Sequence, residues 1–264
     1  MGIAHSRSVP NYIQLEKEAG RELLNDPDKA IKLYGKALNY KLKNPDNLHA
    51  SIGRSYLMIG LIYANMKLDN QLACDHFLKA IPFLEVEDVS SYTLAYFFLA
   101  VCYAEIGKFP QAYETMRKSL EDRKKAFGEN SSEVAMSLNG MAYISKKEKK
   151  YEQALDYYLE AERILRDLPG NKAQHELADL KREFFYHQNF DPLEANIKTS
   201  IAVLHPDLSY VYFFIAEVLL KLDRREQAIY YIDKHFETLK NQHENQQSYQ
   251  LYLQDQIVKT RELY

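Results

Sequence analysis

The sequence predicts an all-α chain: a right-handed superhelical solenoid of about six antiparallel helix pairs, closed by a C-terminal capping helix. Three observations carry this reading. An alanine, a bulky residue four positions on and a small residue seven positions on recur at intervals of roughly forty residues. A second helical segment, with a small residue of its own, precedes each alanine by about twelve positions. Strand signals are weak throughout, and no period-two run is bounded by hairpin turns.

The recurring triplet reads Ala30, Tyr34, Ala37, then Ala73, Phe77, Ala80. It continues as Ala112, Met116, Ser119 and as Ala154, Tyr158, Ala161. A looser copy is Ala195, Thr199, Ala202, and the last is Ala228, Ile232, His235. By subtraction the leading alanines lie 43, 39, 42, 41 and 33 residues apart. Offsets of four and seven place all three residues on one helix face. Small members let two helices approach, and the bulky member fills the groove between them. In the preceding helices Ala100, Ala142 and Ala216 lie 12 positions before their partner alanines, and Gly60 is offset by one.

These spacings give units at about 11–40, 48–84, 91–125, 132–167, 172–204 and 207–240, after a flexible N-terminus (1–10) and before a capping helix (241–264). Asp26-Pro27 and Asp191-Pro192 each offer an N-cap carboxylate followed by a proline tolerated in the first turn. Ser131 is the expected N-cap of the fourth unit, and His205-Pro206-Asp207 breaks the chain before the sixth. The segment 245–264 places Tyr249, Leu253 and Ile257 on one stripe, as a solenoid cap requires.

Composition narrows the function classes. Of 264 residues 46% are apolar, which suffices for a packed core, while 9 glycines and 8 prolines are too few for a turn-rich β-sandwich. The net charge is −3, so no overall pull toward nucleic acid or anionic lipid is expected. The basic stretches 117–125 and 146–150 fall at opposite ends of the helices and read as helix-end cations. Cys74 and Cys102 sit at apolar helical positions and fit neither a disulfide framework nor a zinc site. No segment reaches the roughly 18–20 apolar residues of a membrane helix. The first ten residues have no apolar leader core, so a cytoplasmic setting without stable membrane insertion is expected. Gly2 with Ser6 also fits the short myristoylation pattern, which is common by chance.

The stretch 96–120 (YFFLAVCYAEIGKFPQAYETMRKSL) resembles the tetratricopeptide repeat family through Ala100, Tyr103, Gly107, Phe109, Ala112 and Leu120. The unit that starts at Leu138-Asn139, with spacing near 42, is similar to the longer-period repeats of kinesin light chains and bacterial peptide-pheromone receptors. The resemblance covers roughly residues 11–240 and is strongest over 92–165 and 209–236. It departs from the family where the first-helix aromatic (Tyr96, Tyr212) is Leu138, and where the turn glycine survives only as Gly107.

The resemblance implies that first helices of successive pairs line a concave groove. Counted from each small residue, groove positions are Phe97, Val101 and Ala104 in the third unit, and Asn139, Tyr143 and Lys146 in the fourth. They are Leu180, Phe184 and His187 in the fifth, and Phe213, Glu217 and Leu220 in the sixth. An exposed apolar strip of this kind marks a protein or peptide site. The other reading is that the aromatics pack on one another. In the groove reading Phe97, Tyr143, Phe184 and Phe213 are expected as anchors, with Asn139, Lys146 and His187 setting orientation and Val101 and Glu217 beside them.

No phosphate-binding loop, nucleophile elbow or zinc-protease motif occurs in the sequence. The eight histidines are scattered. No enzyme activity, cofactor or metal is therefore expected, and the expected partner is a protein or peptide rather than nucleic acid. Two functions fit: a binding scaffold, or a ligand-sensing module of a larger bacterial signalling protein such as a kinase or transcription regulator.

Overall fold

The computed structural model describes residues 11–168 and 208–242, apart from residues 24, 46, 47, 86 and 87 and the side chains of 239–242. The expected N-terminus, the fifth unit and the cap beyond Gln242 lie outside these residues.

Among the described residues there are ten helices and no strand. They are α1 (Asn11–Glu22), α2 (Pro27–Lys43), α3 (His49–Ile62), α4 (Asn70–Leu84) and α5 (Val89–Glu105). Then come α6 (Phe109–Phe127), α7 (Ser132–Lys147), α8 (Tyr151–Asp167), α9 (Leu208–Lys221) and α10 (Arg225–Gln242). The chain divides into two compact units, one whose described part runs to Cys102 and one whose described part starts at Tyr103.

In the first unit α1 packs on α2, α2 on α3, and α3 on α4. The leading alanines Ala30 and Ala73 have no exposed surface, as the triplet requires. Asp26 caps α2 by accepting from the Lys29 amide at 2.9 Å, and Asp69 caps α4 by accepting from Leu72 at 3.0 Å. Gly60 is small for a steric reason: a Cβ there would lie 2.6 Å from the Phe77 ring. Its offset of one residue also has a physical cause. A π-helical turn at Tyr63–Lys67 continues α3 and absorbs one extra residue before α4.

In the second unit α6 packs on α7, α7 on α8 and α9 on α10. Ala112, Ala154 and Ala228 are fully buried. Ser131 caps α7 by accepting from the Val134 amide. Helix α9 packs directly on α8, as α7 does on α6, and Val211, Phe214, Ile215 and Val218 share a core with Ala154 and Tyr158. The first helix of the sixth expected unit is thus seated against the second helix of the fourth.

The hairpin turns share one geometry. Leu68, Gly107, Lys149 and Asp223 all have positive φ (54°, 77°, 65° and 58°), and each lies five residues before a leading alanine. The next amide then bonds back to the ending helix, Lys108 to Tyr103, Lys150 to Ser145 and Arg224 to Leu219, at 2.8–2.9 Å. This is the Schellman closure of a helix C-terminus. In the α3/α4 turn the bond runs from Asp69 to Tyr63, one residue further, because of the π turn.

Candidate functional site

The groove positions start from the first helices of their pairs, and long stretches of two of these helices, α5 and α7, are buried on every side. Every residue of α7 from Val134 to Ser145 is buried, and so is all of Phe97–Cys102 in α5. A helix that is hydrophobic all round is a core helix. The exposure expected at Phe97, Val101, Asn139 and Tyr143 is accordingly absent: each is at most 1% exposed. Phe97 sits edge-on to Phe98 at 5.6 Å, and Phe98 stacks on Phe77 at 5.7 Å. These are the packed aromatics of the other reading. Phe184 and His187 lie outside the described residues.

In the second unit the structure joins several predicted positions. Lys146 Nζ donates to Glu217 at 2.7 Å and so bridges α7 and α9. The same ammonium lies 5.9 Å from the Tyr143 ring centre and 5.5 Å from that of Phe214. The Tyr143 hydroxyl donates to Glu105, at the end of α5, which also pairs with Lys147 at 2.9 Å. Two polar rungs thus link first helices of successive pairs. Phe213 is 36% exposed, with the His235 ring 5.5 Å away. His235 is buried, its Nδ1 2.7 Å from the Ser209 carbonyl oxygen.

Asn139 stands apart from these paired groups. It is fully buried midway along α7, and neither its amide nitrogen nor its amide oxygen has a partner among the described residues. Unsatisfied polar atoms in a native interior are rare, and each costs about 1–3 kcal/mol.

Glu105, Lys147 and Phe214 were not singled out by the sequence. A signal for two of them exists: Glu105 and Lys147 each lie two residues before the positive-φ turn residue, so opposite charges occupy equivalent places in successive pairs. Cys74 and Cys102 are buried thiols, as their apolar positions suggest. Among the described residues no three His, Cys, Asp or Glu side chains converge to hold a metal ion, and no helix is long and apolar enough to cross a membrane.

Residues 91–167 match the tetratricopeptide repeat family. No curated protein matches the sequence. Solved structures resemble the fold at low identity. A putative kinesin light chain from Podosopora anserina with nearly identical tetratricopeptide-like repeats is 13% identical with a TM-score of 0.60, over 88% of this chain and 96% of that one. The apo form of RapI gives 16% and 0.62, over 88% and 71%. BtubC from P. vanneervenii gives 15% and 0.55, over 88% and 89%. At such identities the likeness speaks for the fold alone.

Proposed function

We propose that this chain, tetratricopeptide-like in fold, is a non-catalytic scaffold that holds a peptide or a helix of a protein partner along the first helices α7 and α9. The observation that carries the proposal is Asn139. Its side chain offers one acceptor and two donors, and neither polar atom has a partner among the described residues. A peptide backbone supplies the matching N–H and C=O groups. Entry lies where the row is partly exposed, at Phe213 and Glu217, beside the Lys146 rung. Because Asn139 itself is covered, binding has to open the row, and the Lys146–Glu217 pair is the rung that opening breaks. Anchors of the Phe213 kind, a ring at the edge of a packed cluster, fit an extended or helical ligand.

The test is substitution of Asn139 by leucine, which keeps the γ-branched shape and removes the amide. Peptides selected from a random display library against the full chain serve as probes, with affinity and melting temperature read on the same samples. Asn139→Leu is expected to melt at or above the parent temperature while binding at least tenfold more weakly, about 1.4 kcal/mol. Undiminished peptide binding would remove Asn139 from the site. A large fall in melting temperature would show that the amide is structural.

A further inference from the structure

Two buried cations occupy equivalent places in the repeat. Lys41 lies eleven residues after Ala30, and Arg123 lies eleven residues after Ala112, each near the end of the second helix of its pair. Lys41 is 0% exposed and Arg123 2%. Each donates to the first helix of the next pair, at the same two offsets. Lys41 Nζ reaches the Ser51 carbonyl at 3.0 Å and the Ser55 hydroxyl at 2.8 Å. Arg123 Nη1 reaches the Glu133 carbonyl at 3.2 Å and the Ser137 hydroxyl at 2.9 Å. The acceptors are 10 and 14 residues downstream in both cases. In the second and fourth pairs the equivalent positions are Leu84 and Leu165.

We propose that Lys41 and Arg123 are register keys: each fixes the height at which the next helix pair docks, and neither is there to add stability. Apolar ridges of small and bulky residues repeat along a helix every turn, so a docking shifted by one turn still buries apolar surface. A cation with one carbonyl and one hydroxyl within reach is satisfied at a single height. A shifted docking would take from each buried cation the carbonyl and the hydroxyl of the next helix, while Lys41 would keep only Glu16 of its own pair, and an incompletely bonded buried charge is costly. Buried polar groups are best attested in this role, as selectors of register.

The electrostatics agree. Burial pushes the Lys41 ammonium below its usual value even though Glu16 of α1 is 2.5 Å away. Burial brings the Arg123 guanidinium down to about 9. Besides Glu16, the groups facing Lys41 are the Tyr12 ring of α1 at 5.2 Å and the Arg54 charge of α3. A base whose folded value is depressed binds its proton less well in the fold than in the unfolded chain. Its buried charge therefore opposes folding at neutral pH, and the opposition fades as pH rises through the folded value. Charges that burial disfavours recur in two repeats with the same bonds, which points to a use in docking.

The chain carries its own reporters. Met116 is on α6, Met136 and Met141 are on α7, and Met58 and Met66 are on α3 and its π turn. In the full chain labelled with 13C-methyl methionine, Arg123→Leu combined with Ser137→Ala is expected to melt at or above the parent temperature. The Met116, Met136 and Met141 signals are expected to double, and those of Met58 and Met66 to stay single. Arg123→Lys is expected to leave all of them single, because lysine reaches the same pair of acceptors in the Lys41 cluster. The mirror variant, Lys41→Leu with Glu16→Gln and Ser55→Ala, should double Met58 and Met66 alone. Single signals in both multiple variants would overturn the proposal, since packing alone would then set the register. So would a melting temperature lower by more than about 10 °C, several kcal/mol for a chain of this size, because the clamps would then be plain stabilisers. Doubling in Arg123→Lys would overturn it too, since a retained charge would then not hold the register.

Discussion

At the scale of single residues the repeat rests on the places where side chains are missing. Ala30, Ala73, Ala112, Ala154 and Ala228 are all 0% exposed, and Gly60 faces the Phe77 ring. The helices of a pair meet at these points, so added volume has nowhere to go. Gly60→Ala illustrates this. Its new methyl group would begin 2.6 Å from an aromatic carbon of Phe77, which is itself fully buried. The ring must move or the helices must part. A loss of roughly 1–3 kcal/mol is expected in urea unfolding, despite the better helix propensity of alanine. A gain in stability would mean that the α3/α4 hairpin has slack at its crossing. Asn139 is the reverse case, a buried residue whose amide has no partner among the described residues.

At the scale of the element, the hairpin turn is the most uniform feature. Four turns place a positive-φ residue five positions before the leading alanine, and only one of the four is glycine. Glycine thus fills this position once, while the left-handed conformation it favours occurs four times. A left-handed backbone costs a side-chain-bearing residue roughly 1 kcal/mol, and glycine adopts it without that strain. Lys149→Gly is therefore expected to raise stability by about 0.5–1 kcal/mol, a shift of about 1–4 °C in melting temperature. Gly107→Ala should lower it by a similar amount. The opposite signs, measured by thermal unfolding, test the shared geometry. Lys149 is a fair site because its side chain is exposed and makes no packing contribution to lose.

At the scale of the whole molecule, stability in a stacked array is a sum over neighbours. The α9/α10 pair depends on its seat on α8, where Phe214 stacks on Tyr158 with ring centres 5.6 Å apart. Phe214 is 2% exposed, so Phe214→Ala should cost about 3–5 kcal/mol through lost burial and a cavity. The loss should be local in its first effect. Hydrogen exchange is expected to quicken in α9 and α10 well before α6 and α7 respond. Uniform loss of protection across the second unit would mean that it unfolds as one cooperative block rather than pair by pair.

The sequence by itself determined the described helices and their pairing. These depend on offsets of four, seven and twelve residues within one unit, and on caps such as Asp26 and Ser131 that act over three residues. Local periodicity and steric size are properties of a short stretch, so they can be read from it. Even the offset at Gly60 was visible, although the π turn that causes it was not. Tertiary structure decided the rest. It seated α9 on α8, a neighbour relation between residues more than forty positions apart. It buried Phe97, Asn139 and Tyr143, because exposure depends on what covers a helix and not on the helix alone. It also gave Lys41 and Arg123 their meaning: in the sequence Arg123 reads as one of the helix-end cations of 117–125, and only the helix of the next pair supplies the carbonyl and the serine that hold the two cations.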